Sequence, residues 1–305
     1  MHHAYSEPGY LRMEKDEIED RISKLYDILQ KCILCPRRCG VDRNKEKGYC
    51  NAGTQLMVSG IHPHFWEEEP LVGVYGSGTI FLTNCNLRCV YCQNYDTSCL
   101  GIGKTITPKE LAEGMLRLQG MGCHNINLVT PTHFVPQLVE TIKIAAEKGL
   151  RIPIVYNCGG YEAVETIRLL HSIVDIYMPD IKYSDSENAK KYSNAPDYFD
   201  VCKKAVKEMH SQVGELEIQN GIAKRGLLIR HLVLPNNIAG SREVLRFIAN
   251  EISRQSYVNI MSQYHPMYLA YKYPELNRST MFKEYLQAKS IARELGLHRG
   301  IEESL

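Results

Sequence analysis

The sequence lacks a surplus of charge of either sign. It contains 36 lysine and arginine residues against 35 aspartate and glutamate residues, which gives a formal net charge of +1. Binding to nucleic-acid phosphates or to an anionic membrane surface depends on an excess of positive charge. The balance therefore excludes a broad electrostatic attraction to either partner, and such a role would need a local basic patch.

Long apolar runs are missing as well. Residues 1–10 contain no apolar stretch of the kind found in a secretory signal, and no later stretch is as long as a membrane span requires. The sequence also has no repeat at a short fixed period and no low-complexity tract. The protein is therefore expected to be soluble and cytoplasmic, with no membrane partner.

The arrangement of predicted elements indicates an α/β fold. An amphipathic helix is predicted over Glu14–Gln30, because apolar residues recur there at helical spacing between charges. Farther along, short runs rich in β-branched or aromatic residues alternate with helical patterns, which is typical of βα units around a parallel sheet. The predicted strands are Thr79–Thr83, Ile126–Thr130, Ile152–Tyr156, Val174–Met178, Leu227–Leu234 and Tyr257–Ser262.

Six such units predict a partial (β/α)6 TIM-type barrel. A small N-terminal module with a helix and four cysteines is expected over residues 1–65, and the barrel over residues 66–305. Right-handed crossovers place the helices outside and bring the carboxyl ends of the strands to one mouth. Catalytic groups are therefore expected directly after strands.

Eleven cysteines are many for a cytoplasmic chain, and an odd number argues against a disulfide framework. Seven of them fall into two tight groups, which indicates metal binding. The first group is Cys32, Cys35, Cys39 and Cys50, and the second is Cys85, Cys89 and Cys92.

The second group has the spacing C-x3-C-x2-C and follows the first predicted barrel strand. Ordinary four-iron clusters take four thiolates, so three thiolates would leave one iron open to a substrate or cofactor. Zinc is the alternative, because three close cysteines also occur in zinc knuckles with a fourth ligand such as Cys99. The strand–loop–helix context favours an iron–sulfur cluster, with Cys99 as a bystander.

This motif is similar to that of the radical S-adenosylmethionine (SAM) superfamily, with Tyr91 at the aromatic position, where the resemblance makes it a candidate for cofactor binding. The segment Cys89–Thr97 resembles the corresponding segment of pyruvate formate-lyase activating enzymes, and the likeness covers roughly residues 70–300. The resemblance implies a [4Fe–4S] cluster that binds SAM at its open iron and cleaves it to a 5′-deoxyadenosyl radical. It also implies an electron donor such as flavodoxin or ferredoxin.

Other predicted strand ends carry positions that the resemblance assigns to SAM. Thr130 and Pro131 stand where the family has a Gly-Gly-Glu segment, whose carbonyls hold the SAM ammonium, and either Thr132 or His133 could replace the missing acid. The remaining candidates follow or lie on later strands. They are the pair Asp180 and Lys182, for the ammonium and carboxylate of SAM, and Arg230, His231, Gln263 and His265, for cofactor or substrate contacts.

The paired glycines Gly159 and Gly160 have two equally supported interpretations. They permit either a tight turn or a close approach of the backbone to a ligand. A solvated surface ion pair is the alternative for Asp180 and Lys182.

The N-terminal cysteines have the spacing C-x2-C-x3-C-x10-C. Four thiolates suit either structural zinc or a second, fully ligated Fe–S cluster. The module differs from the usual activating enzymes, in which additional clusters follow the radical motif.

The resulting functional prediction is an enzyme that uses SAM-derived radicals to abstract hydrogen, with activation of a glycyl-radical enzyme as the leading form. The alternatives are radical modification of a small molecule or of another macromolecule. A different class, a non-catalytic Fe–S or zinc protein in electron transfer or protein interaction, would explain the cysteines but not the Asp180 and Lys182 pair.

Overall fold

Parallel strands form the centre of the molecule, as the computed structural model shows for residues 7–301, the part of the chain that it describes. Within this range there are nine strands. They are β1 (Met57–His64), β2 (Ser77–Leu82), β3 (Lys104–Thr105), β4 (Ile126–Val129), β5 (Ile154–Cys158), β6 (Ile176–Pro179), β7 (Glu217–Gln219), β8 (Ile222–Leu232) and β9 (Tyr257–Met261).

The strands β2, β4, β5, β6, β8 and β9 are parallel neighbours in that order. The sheet continues beyond β2 through the antiparallel strands β1 and β3, and β7 pairs with the beginning of β8. The predicted partial (β/α)6 barrel is thus confirmed, with the six strands shifted by a few residues. The strands β1, β3 and β7 were not predicted, because β1 contains Gly60 and Pro63 and the other two are only two or three residues long.

Ten α-helices surround or connect the strands within residues 7–301. Those helices are α1 (Lys15–Ile28), α2 (Glu69–Val72), α3 (Tyr95–Ser98), α4 (Pro108–Gly120), α5 (Val135–Glu147), α6 (Val164–Leu169), α7 (Ser186–Ser193), α8 (Tyr198–Val213), α9 (Ser241–Phe247) and α10 (Phe282–Glu294). Short 3-10 turns lie at Gly9–Leu11, Leu29–Lys31, Thr132–Phe134, Pro235–Asn237, Ala270–Lys272 and Pro274–Leu276, and a π turn at Ile248–Ile252 extends α9. No helix in residues 7–301 has the length and apolar character needed to cross a bilayer.

The N-terminal segment packs directly on the barrel. Leu25, Leu29 and Leu34 belong to the same apolar core as the barrel strands and their helices. Thr166 on α6 donates a hydrogen bond to the Leu34 carbonyl at 2.8 Å. The strand β1, which precedes residue 66, is part of the barrel sheet, and the division into residues 1–65 and 66–305 stays a prediction.

The connection between β1 and β2, residues 65–76, closes the barrel at the amino ends of its strands, and we call it the floor segment. Leu71 in α2 packs there against Val155, Ile176 and Leu228 of three parallel strands. The outer side of the floor segment carries Trp66, the only tryptophan of the chain, which is 89% exposed. The floor segment therefore has one side in the barrel and one in solvent.

Candidate functional site

The loop after β2 brings three cysteines to one cavity at the mouth of the barrel. Asn84 and Arg88 adopt left-handed backbone conformations, with φ of 69° and 53°, and these turns fold the loop back on itself. As a result Cys85, Cys89 and Cys92 all line the same cavity.

Each of these sulfurs has a polar neighbour. The Leu87 N–H donates to Cys85 Sγ at 3.3 Å, and the Ser193 hydroxyl donates to Cys89 Sγ at 2.9 Å. Burial raises the pKa of Cys85 to about 12 and also raises the pKa of Cys89. Thiolates at these positions therefore need a nearby positive charge, such as iron, to offset the loss of hydration. The three thiols fit an iron–sulfur cluster in this respect.

Cys99 lies beside this group. The Ser98 hydroxyl is 3.0 Å from Cys92 Sγ and 3.5 Å from Cys99 Sγ. The contact with Cys99, followed by burial, raises the pKa of Cys92. The role of Cys99 as a bystander stays a prediction. Within residues 7–301, no group of three histidine, cysteine, aspartate or glutamate side chains has the arrangement that would hold a single metal ion.

A buried ionic network lines the same cavity. Asp180 accepts hydrogen bonds from Lys182 Nζ at 2.6 Å and from Arg230 Nε at 2.8 Å. Arg230 also donates from Nη2 to Asn157 Oδ1 at 2.7 Å. The three charged side chains are only 16–17% exposed, so Asp180 and Lys182 do not form a solvated surface pair.

The charges in this network hold one another in the ionised form. Burial alone would raise the pKa of Asp180, but Arg230 and Lys182 outweigh it and lower the pKa below its usual value. The same carboxylate overcomes desolvation at Lys182 and raises the pKa of that amine. A carboxylate and two cations therefore face the cavity that the three cysteines line.

Two further predicted cofactor contacts, Thr130 and Tyr91, line this cavity in addition to Asp180, Lys182 and Arg230. Thr130 lines it, with a left-handed backbone at φ 60°, and Pro131 follows directly. Tyr91 also lines it, and its ring meets the edges of Tyr183 and Tyr264 at centroid distances of 6.2 and 5.8 Å.

Thr132 and His133 have other partners. Thr132 Oγ1 donates to the buried Glu162 at 2.7 Å, and His133 Nε2 bonds the Thr83 carbonyl at 2.7 Å. Both side chains are engaged in the protein interior, so the structure supplies no support for either of them as the missing acid.

Of the four candidates from the late strands, two line the cavity and two do not. Arg230 and Gln263 line the cavity. His231 is buried between the Ile181 carbonyl, at 2.7 Å, and the Ser241 hydroxyl, at 2.8 Å, and is a satisfied interior residue. His265 lies at the exposed rim, 3.3 Å from Gln93.

Both interpretations of the paired glycines have structural support. Gly159 lines the cavity, and a Cβ there would stand 2.7 Å from Leu87 in the cysteine loop. Gly160 has φ of 75°, and a Cβ there would stand 2.3 Å from the Asp180 carbonyl oxygen. A side chain at Gly159 would therefore displace the Leu87 side chain of the cysteine loop, and one at Gly160 would displace the backbone after β6.

Two acids in the floor segment that were not predicted from the sequence, Glu67 and Glu68, belong to the same network. Glu67 Oε2 lies 3.4 Å from Arg230 Nη1, and Glu68 Oε1 accepts a hydrogen bond from Asn259 at 2.9 Å. Burial raises the pKa of Glu67 to about 7 despite the opposing effect of Arg230. No motif or strand end marks these residues in the sequence, because they come from the opposite end of the barrel.

The N-terminal cysteines lie together in a loop beside the barrel. Cys32, Cys35 and Cys50 are buried and Cys39 is exposed. A Cβ on Gly48 would stand 3.2 Å from Cys39 Sγ and 3.6 Å from Cys50 Sγ, so both thiols face the same glycine. Burial above all raises the pKa of Cys35 and Cys50, and neighbouring thiols of the group add to the effect. Like the first site, this group would need a cation to hold thiolates.

Comparisons with known proteins agree on one family. A family model described as the radical SAM superfamily matches residues 79–214. The chain is 31% identical over 303 residues to an uncharacterized protein of Methanocaldococcus jannaschii, covering 96% of this chain and 82% of that protein. It is 28% identical over 229 residues to the pyruvate formate-lyase-activating enzyme of Clostridium pasteurianum, covering 70% of this chain and 86% of that enzyme.

Among solved structures, the chain is similar to HydG, a maturase of the [FeFe]-hydrogenase. The TM-score is 0.48 at 11% sequence identity, and the match covers 95% of this chain and 57% of HydG.

The Glu67→Gln variant is expected to change how stability depends on pH. The pKa of Glu67 is raised from 4.5 to about 7 in the folded protein. The protonated Glu67 therefore contributes its full stabilisation of the fold below pH 4.5, and this contribution is lost as the pH rises through 7. The free energy of unfolding, measured with denaturant, should decrease between pH 5 and pH 8. This decrease should be smaller in the variant than in the wild type by about 2–3 kcal/mol.

Glu113→Gln is a suitable control, because Glu113 is an exposed carboxylate on α4 with an ion pair to Lys148. If the free energy of unfolding decreases equally with pH in Glu67→Gln and in the wild type, Glu67 does not have the raised pKa assigned to it.

Proposed function

Because the chain belongs to the radical SAM superfamily, we propose that Cys85, Cys89 and Cys92 hold a [4Fe–4S] cluster and that the adjoining cavity binds SAM. The observation that carries this proposal is that the three thiols and the buried network around Asp180 line one cavity. Three thiolates leave one iron of the cluster open to a ligand. When bound, the cluster supplies the electron that cleaves SAM to methionine and a 5′-deoxyadenosyl radical, which abstracts a hydrogen atom from the substrate.

The residues of the cavity have complementary tasks in this proposal. Asp180 accepts from the ammonium of SAM, while Lys182 and Arg230 donate to its carboxylate. The carbonyls of Thr130 and Pro131 accept further hydrogen bonds from the ammonium. Burial strengthens these contacts, because charge-assisted hydrogen bonds are worth more where water is excluded.

The substrate in the leading form of the proposal is a glycine Cα–H on a partner enzyme. The support is the similarity to the pyruvate formate-lyase-activating enzyme of Clostridium pasteurianum and the resemblance of the segment Cys89–Thr97. Members of the superfamily need a reductant, and we propose a flavodoxin or ferredoxin in this role.

We further propose that Cys32, Cys35, Cys39 and Cys50 form a second metal site, filled by zinc or by a fully ligated Fe–S cluster. The support is the burial of three of the thiols and the common approach of Cys39 and Cys50 to Gly48. Metal binding to four thiolates is coupled to folding, since the site does not exist in the unfolded chain.

The proposed cluster is tested by replacing Cys85, Cys89 and Cys92 one at a time with alanine. Each change removes one of the three proposed cluster thiolates, so reductive cleavage of SAM should be abolished after anaerobic reconstitution. The measurement is 5′-deoxyadenosine formation with dithionite, together with iron content. Cys123→Ala, a buried cysteine outside both groups, should retain full cleavage, and full cleavage by the three loop variants would refute the assignment.

The proposed SAM contacts are tested by Asp180→Asn and Lys182→Met. Each change removes a sheltered charge-assisted contact worth about 1.5–3 kcal/mol, so SAM should bind about tenfold more weakly or worse while the brown cluster is retained. The measurement is a SAM titration followed by the cluster spectrum.

A matched control is the surface pair Asp200 and Lys203, whose charged atoms are 3.0 Å apart on α8. Asp200→Asn and Lys203→Met should titrate like the wild type. The same result for Asp180→Asn and Lys182→Met would show that other residues hold the methionyl end of SAM.

The N-terminal metal site is tested by Cys35→Ala. Loss of one of four thiolates should reduce bound metal and lower the melting temperature, because binding and folding are coupled there. Metal analysis and thermal unfolding are compared with those of Cys202→Ala, a buried cysteine on α8. Wild-type metal content and melting temperature in Cys35→Ala would rule out the four-thiolate site.

A further inference from the structure

The side chain of Arg37 reaches from the N-terminal cysteine group to the loop of the proposed active cluster. Arg37 lies between Cys35 and Cys39 in the sequence. Its guanidinium donates from Nε to the Asn86 carbonyl at 2.8 Å and from Nη2 to the Ser193 carbonyl at 2.8 Å. Nη1 donates to the carbonyl of Asn194. One planar group therefore holds two segments that are more than 100 residues apart in the chain.

Both segments belong to the immediate surroundings of the cluster cysteines. Asn86 follows Cys85, and its own amide donates to the Tyr161 carbonyl at 2.7 Å. The Ser193 hydroxyl is the group that donates to Cys89 Sγ at 2.9 Å. Arg37 thus contacts the backbone of the residue whose hydroxyl bonds both Cys89 Sγ and the Tyr183 hydroxyl, the latter at 2.8 Å.

The Arg37 guanidinium is itself held by the N-terminal loop. It lies 4.0 Å from the ring centre of Tyr49, the neighbour of Cys50, and 5.1 Å from that of Tyr161. The Tyr49 hydroxyl also accepts a hydrogen bond from Asn194 at 3.4 Å. Cation–π contacts of this kind orient a guanidinium as well as stabilise it. The ordering of the loop from Cys32 to Cys50 therefore places Arg37.

Two further connections run parallel to this one. Asn51, also next to Cys50, donates to Asn84 Oδ1 at 3.4 Å. Arg43 donates to the His133 carbonyl at 3.1 Å, and the ring of His133 bonds the Thr83 carbonyl at 2.7 Å. The N-terminal loop thus meets the strand end before Cys85 as well as the residue after it.

We propose that Arg37 is a positioning residue through which the N-terminal cysteine group sets the geometry and electrostatic environment of the active cluster. The inference rests on the proposed function, since it assigns a role toward that cluster. Arginine suits the task because its rigid fork satisfies several carbonyls at once, which an ammonium cannot do with the same geometry. Cluster potentials depend on net charge and on hydrogen bonds to the sulfurs.

The test compares Arg37→Gln with Arg38→Gln. Arg38 is the adjacent arginine, exposed and paired with Glu165 at 3.1 Å on the surface. In Arg37→Gln, the active cluster should lose iron to a chelator about 10-fold faster, because Ser193, the partner of Cys89, loses a support, and loss of such partners weakens metal binding about 10- to 100-fold. Its reduction potential should become more negative, because a nearby positive charge and the oriented Ser193 donor are lost. Its electron paramagnetic resonance (EPR) signal should change as well, whereas Arg38→Gln should match the wild type in all three.

Two more variants keep the result interpretable. Arg37→Lys retains the charge but not the fork, so it should restore part of the potential and little of the iron retention. Ser193→Ala removes only the hydroxyl that donates to Cys89 Sγ. It should lower the reduction potential of the active cluster while the metal content of the N-terminal site is unchanged.

The outcomes separate the inference from the proposed function. If Arg37→Gln has a lower melting temperature but wild-type iron release, potential and EPR signal, Arg37 is only a structural contact and the inference is wrong. An unchanged potential in Ser193→Ala would also overturn it. If the wild-type protein itself assembles no cluster on Cys85, Cys89 and Cys92, the proposed function fails first.

Discussion

The carboxylate of Asp180 is the charge on which the polar interior of the barrel depends. It accepts from Lys182 and Arg230, and without it two buried cations would lack their main counter-charge, which typically costs several kcal/mol. Arg230 then extends the network to Asn157 and to Glu67 in the floor segment. These groups come from β5, the end of β6, β8 and the β1–β2 connection, so the Asp180–Arg230 ion pair and its neighbours link four parts of the barrel.

The cysteine loop lies beside this network and is anchored by its own side chains, such as Asn86, whose amide donates to the Tyr161 carbonyl. Gly159, directly after β5, allows the backbone to approach the Leu87 side chain of the loop closely. On its outer side the cysteine loop meets the N-terminal loop through Arg37 and Asn51. The two cysteine groups are therefore neighbouring parts of one packed structure with a continuous apolar core.

Local signals account for what the sequence could predict. The spacing of Cys85, Cys89 and Cys92 and the positions of Thr130, Asp180 and Lys182 after strands are features of short segments. The parallel order of the strands turns them into a shared cavity. The contacts that sequence reasoning missed join residues far apart in the chain, such as Arg37 with Ser193 and Glu67 with Arg230. Such pairs depend on how the elements pack, and neither residue stands in a recognisable motif.

His231 and His133 show the opposite error. Both follow or lie on predicted strands and carry a group suited to catalysis, yet each is engaged in the interior by backbone carbonyl contacts. Whether a histidine at a strand end faces the cavity depends on its side of the pleat and on the packing around it, which composition and spacing do not fix.

The floor segment contains an intrinsic fluorescent probe, Trp66. Since the chain has a single tryptophan, all indole emission originates from Trp66, the residue adjacent to Glu67, which is ion-paired with Arg230 inside the barrel. The indole is in water and the neighbouring carboxylate is in the interior, so a rearrangement of the floor would alter the emission wavelength or anisotropy. Fluorescence spectroscopy can thus follow the closed end of the barrel separately from the absorbance of any chromophore at its mouth.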